Sequence, residues 1–138
     1  MRVWEAFIGI LITLTALITS ASAQPIYTGL IIDARGLGIQ TGMSPKIYDA
    51  DERVVYGNFE YIDPNYVINE GIVKYAESTE VAEELELSGN HPMVVKAIAM
   101  GEDPSGASVV IKDQDAWKIR VANDLKDFLS RHQVTIIL

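Results

Sequence analysis

The residues of this chain that could carry chemistry are few: two histidines, no cysteine, and one knot of acidic side chains. Asp49, Asp51 and Glu52 set oxygen ligands close together, as a calcium loop would. Arg53 stands where a third ligand belongs, however, and no glycine occupies the sixth position of such a loop. Asp49-Ala-Asp-Glu-Arg reads instead as a tight hairpin turn whose acidic side chains bond their own backbone. Gly36, Gly38 and Gly42 invite a phosphate-loop reading. Yet no Gly-Lys-Ser/Thr ending follows, the spacing is G-x-G-x-x-x-G, and Pro45 comes next rather than a helix.

Nucleophilic catalysis has little material. His91 precedes a proline in a loop, His132 sits at the end of the last helical stretch, and no serine lies on a nucleophile elbow. Asp33 with Arg35 reads as a strand-end ion pair or turn brace rather than an acid/base pair. Tyr48, Tyr56, Phe59, Tyr61 and Tyr66 offer a recognition surface, but such residues more often form core and cross-strand pairs. The expectation is a protein that is not an enzyme and holds no cofactor or metal.

The elements that must position these residues follow from patterning. Thr28 to Ile32 is short, β-branched and bounded by turn formers, so it reads as a buried strand. Lys46–Tyr48 and Val54–Tyr56 flank the acidic turn as a hairpin. Asp63-Pro64 is a helix start, with Asp capping and Pro tolerated at the first position. The spacing of Ile68, Ile72, Tyr75, Ala76 and Thr79 predicts a helix over Tyr66–Ser78, with Gly71 explained by a close helix-to-sheet contact. Glu80–Leu87 reads as a short solvated helix or a continuation, with Val81 and Leu85 inward and Ala82 a further candidate for that face. Met93–Met100 and Ser108–Ile111 form a second antiparallel pair, and the charge of Lys96 puts one face of that strand in solvent. Asp113-Gln-Asp opens the clearest helix, with acids where the dipole favours them. Its predicted buried stripe is Trp117, Val121, Leu125, Phe128 and Leu129, where truncating Trp117 or Leu125 would cost ~2–5 kcal/mol. Val134–Leu138 closes as a strand. The order ββ(β)-α-ββ-α-β predicts an α+β two-layer sandwich, a mainly antiparallel sheet with helices on one face.

The totals narrow the partners. The 138 residues carry a net charge of −8, which lacks the basic stripe that neutralises phosphates and disfavours nucleic acid. At the start, Arg2 gives a weak positive region and Ala6–Ile18 an apolar run shorter than the ~20 residues of a membrane helix. Ala21 and Ala23 then fit the small-residue rule for cleavage before Gln24, with retention as an anchor the alternative. Residues 1–23 are read as a secretory signal peptide and 24–138 as one domain, with no integral membrane span after cleavage. The residues removed include one Arg and one Glu, so the charge stays at −8.

The string YTGLIIDARGLG…MSPKIYDADERVVYG, with the later GNHPMVVKA, resembles a region of exported bacterial envelope proteins of the FlgP and FlgO type, which are flagellar-associated lipoproteins. The resemblance covers most of the chain after residue 23 and implies a flagellum- or outer-membrane-linked structural role. A lipid anchor is not carried over, because there is no cysteine to acylate. The expectation is an exported, periplasmic or outer-membrane-associated protein that works by contact with itself or with an envelope partner. A periplasmic small-molecule or glycan-binding module is the alternative. The connection Arg35, Gly36, Leu37, Gly38, Ile39 is the candidate contact, being longer than a simple hairpin requires, and a purely structural turn is the competing reading. Intact-mass analysis of the protein recovered from periplasm should give a chain beginning at Gln24, whereas a product beginning at Met1 that sediments with membranes would contradict the cleavage.

Overall fold

The computed structural model describes residues 25–58 and 63–138, without the side chains of residues 68 and 69. Among these, seven strands form one sheet and three helices pack on it. The chain enters the sheet at β1 (Gly29–Asp33), where Leu30, Ile31 and Ile32 are all buried. An unbroken apolar run suits a strand covered on both sides. A hairpin follows from β2 (Ile47–Tyr48) and β3 (Val54–Tyr56). Helix α1 (Pro64–Glu70) starts on Asp63, whose carboxylate accepts the Asn65 amide, with Pro64 in the first turn. Next come β4 (Lys74–Ala76), α2 (Thr79–Glu84), β5 (Pro92–Met100), β6 (Val109–Ile111), α3 (Asp113–Leu125) and β7 (Val134–Ile137).

The sheet order is β3-β2-β6-β5-β1-β7-β4. The β2–β3 and β5–β6 pairs are antiparallel, as their sequences suggest. The pairs β1–β5, β1–β7, β2–β6 and β4–β7 are parallel, so the sheet is mostly parallel and not mainly antiparallel. The reason lies in the connections: strands close in sequence pair as hairpins, but those separated by a helix or long loop return in the same direction.

Helices also lie on both faces rather than one. Side chains alternate along a strand, so Leu30 and Ile32 face one way and Ile31 the other. Leu30 and Ile32 join Val134, Ile136, Val95 and Ala97 in the main core, together with Ala116, Ile119 and Ala122 of α3 and Val67 of α1. Ile31 and Ile137 meet Ala82 of α2 on the opposite face. That second cover is partial. It stops short of β5, where Val94 and Ile98 are 48% and 44% exposed, with exposed Lys96 between them.

Three helical expectations are corrected. The helix expected over Tyr66–Ser78 stops at Glu70, because Gly71 takes φ 72° at its C-cap and the β-branched Ile72-Val73 leads into β4. In α2 the buried residue is Ala82, while Val81 and Leu85 face outward. In α3 the stripe facing the sheet is Ala116, Ile119 and Ala122, and Trp117 and Leu125 are 64% and 54% exposed. Phe128 is buried after all, but from the turn beyond the helix, where Asn123 Oδ1 accepts the amides of Phe128 and Leu129 at 2.9 and 3.0 Å. We therefore expect Trp117→Ala to shift stability by no more than about 0.5 kcal/mol, as at ordinary surface positions. Ile119→Ala should cost ~2–5 kcal/mol, the range for emptying a buried aliphatic site. Urea midpoints of the two variants check the assignment of the helix face.

Candidate functional site

The loop after β1 is built as the sequence suggests and packs differently. Arg35 donates from Nε and Nη2 to the two oxygens of Asp33 at 3.0 and 2.9 Å, and its amide bonds the same carboxylate, so the pair braces the strand end. The Arg35 hydrogen bonds hold the Asp33 carboxyl below its usual range, against a small upward push from burial. Gly36 and Gly38 have φ 81° and 72°. Space is open around Gly36, and a side chain at Gly38 would meet only the tip of Met100, so positive φ rather than a close approach within the chain selects glycine there. Leu37 and Ile39 are half-buried and pack on the main core rather than standing free. Arg35 and Gly36 are the exposed tip.

The acidic turn is a brace as well. Asp49 is fully buried and accepts the amides of Asp51 and Arg53 on Oδ1 at 3.0 and 2.9 Å. Its Oδ2 takes Arg53 Nε at 2.9 Å and Arg120 Nη2 of α3 at 3.4 Å. Asp113 at the start of α3 accepts the Ala50 amide at 2.9 Å. The hairpin is thus tied to the helix through carboxylates. Asp49, Asp51 and Asp113 bring oxygens within 4.8 Å of one another, a spacing that suits a metal. But Asp49 already holds four N–H groups, and the neighbouring Asp113 side chain pushes the Asp51 carboxyl above its ordinary value. Burial pushes the Asp49 carboxyl up, and the hydrogen bonds and charge of Arg53 outweigh it, leaving the group below its ordinary value.

The remaining constellation was not legible as a site. Tyr56 at the end of β3, Tyr66 on α1 and His132 in the turn before β7 converge on one cleft of about 510 Å³. Tyr66 stacks on the imidazole with ring centres 4.6 Å apart, and Tyr56 meets it edge-on at 6.2 Å. Tyr56 Oη lies 2.7 Å from the Ile72 carbonyl and 2.7 Å from His132 Nδ1. His132 is not at the end of a helix but in a turn at φ 55°. Phe59 and Tyr61, also considered for a recognition surface, lie outside the described residues. Three residues so far apart in sequence give no local signal.

A mostly parallel sheet with helices on both faces, one apolar helix face turned outward and an aromatic cleft at one end define a mixed α/β domain. The chain belongs to the family of the second domain of Treponema pallidum Tp0624, whose sequence model matches residues 29–138, from β1 to Leu138. No curated protein matches it. The family found is therefore this one, and the match carries nothing of the FlgP and FlgO type. Among the described residues no helix is long and apolar enough to cross a membrane.

Because the folded value of Asp49 lies below its unfolded value of about 3.9, its stabilisation is present above that pH and is lost as pH falls through the folded value. Asp49→Ala should lower stability at neutral pH by roughly 1–3 kcal/mol, the cost of stranding buried donors. It should also flatten the decline of the urea midpoint below about pH 4. Parallel acid profiles for variant and parent would show that Asp49 is not the brace.

Proposed function

We propose that this domain is an exported cell-envelope assembly module that acts by protein–protein contact, with self-association as the form of that contact. The observation that carries the reading is the outward face of α3. Trp117 and Leu125 stand exposed with half-buried Val121 between them, each one turn from the next. A contiguous exposed apolar patch marks an interaction site, and tryptophan is a preferred anchor of interfaces. The tip of the Arg35–Ile39 loop, Arg35 and Gly36, is a secondary contact in this reading. The flagellar or outer-membrane association implied by the sequence resemblance belongs to the same proposal and rests on that resemblance alone.

Light scattering coupled to size exclusion tests it. At micromolar concentration the chain from Gln24 should be larger than a monomer, and Trp117→Glu should return it to monomer mass with its urea midpoint unchanged. A parent that is monomeric throughout, or a Trp117→Glu variant of unchanged mass, contradicts the reading.

A further inference from the structure

The cleft around His132 has a hydrogen-bond arrangement that the fold alone does not require. A carbonyl only accepts, so the single proton of Tyr56 Oη must go to Ile72 O at 2.7 Å. The contact of Tyr56 Oη with His132 Nδ1, also 2.7 Å, then has the imidazole as donor. Nδ1 carries the proton and Nε2 keeps its lone pair. Among the described residues nothing bonds Nε2. Burial holds the imidazole below its usual range, with the charge of Lys74 adding to the effect, so the ring is neutral near pH 7 and Nε2 is an acceptor.

The other walls have the same bias. Asp63 lines the cleft with a carboxylate that caps α1 through Oδ1, and Ser130 presents a hydroxyl whose proton goes to Asp127. Among the described residues no lysine or arginine lines the cleft. Tyr66 is 39% exposed and presents an aromatic ring beside Leu129. Among the described residues the wall therefore offers acceptors, the amide of Asn58, a flat π face and an apolar flank, with no cationic side chain in it. An anionic ligand would meet the Asp63 carboxylate in the wall of the cleft. A ligand with several O–H donors and one apolar C–H face fits these features, and a volume of about 510 Å³ holds one or two such rings.

We propose that this cleft binds a neutral sugar ring, its C–H face against Tyr66 and a hydroxyl donated to His132 Nε2. The site is separate from the outward face of α3, so its test and the mass measurement fail independently.

The probes are methyl glucoside, diacetylchitobiose and a glucose phosphate ester, each titrated at millimolar concentration against the chain from Gln24. Saturation-transfer NMR reads the sugar protons, and the imidazole carbon–proton signals of His132 read the protein. One or both neutral sugars should receive saturation and shift His132, and the phosphate ester should bind more weakly. His132→Asn tolerates the positive φ and removes Nε2, while Tyr66→Leu removes the ring from an exposed position on α1. Each should weaken binding by about tenfold or more, with Tyr66→Leu deciding the matter should His132→Asn fail to fold. Absence of saturation transfer and of any His132 shift with every sugar, undiminished binding in folded variants, or tighter binding of the phosphate ester would each overturn the assignment.

Discussion

The start of β1 fixes the rest of the sheet. A Cβ at Gly29 would lie 2.2 Å from the Ser88 carbonyl oxygen and 2.8 Å from that of Gln133, so only glycine lets the loops before β5 and β7 close on the strand between them. The Ser88 hydroxyl donates to the Leu30 carbonyl at 2.9 Å and lies 2.8 Å from Thr135 Oγ1, which must then be the donor to Ser88. Thr28 and His91 exchange two further bonds across the same gap, both 2.9 Å. With both neighbours held at one end, β1 can only run parallel to them. Parallel pairing in turn demands cover on both faces, which is why α2 must sit opposite α1 and α3.

That demand is met unevenly, and the unevenness bears on function. On the main face the residues that α3 buries are mostly small, Ala116 and Ala122 on either side of Ile119. Its larger apolar residues, Trp117, Val121 and Leu125, are left around a shallow surface cavity shared with Tyr27 and Met93. The opposite face is covered only around Ile31 and Ile137. Trp117 and Leu125 stand in water while Ala116 and Ala122 are buried.

How much of this was legible follows the range of each interaction. Features closed within a few residues were readable: the β1 run, both hairpins, the Asp63-Pro64 helix start, the Asp33–Arg35 brace and the Asp49 turn. The direction of β1 against β5 and β7 was not, since it is set by loops some sixty and a hundred residues away through Gly29, Ser88 and Gln133. The α3 helix carries two apolar stripes, and hydrophobicity favours the Trp117 stripe whereas the one buried in the core is the smaller set, Ala116, Ile119 and Ala122. Gly71 was read as a point of contact on one long helix when it is the end of a short one. Of the cleft, Tyr56 and Tyr66 were legible among the aromatic residues of a possible recognition surface, but His132 was not, because the three meet only once β3, α1 and the turn before β7 are in place.

The central claim is that α3 docks by its small residues and keeps its large ones for a partner. In the chain from Gln24, Trp117 is the sole tryptophan, since the other is Trp4. Its fluorescence across a dilution series therefore tests the claim directly. The account predicts solvent-exposed emission and ready quenching by iodide in dilute monomer, with a blue shift and protection from quencher as concentration rises. Blue-shifted, protected emission at every dilution would place Trp117 in the core, and exposed emission at every concentration would leave its helix face without a partner; either contradicts the account.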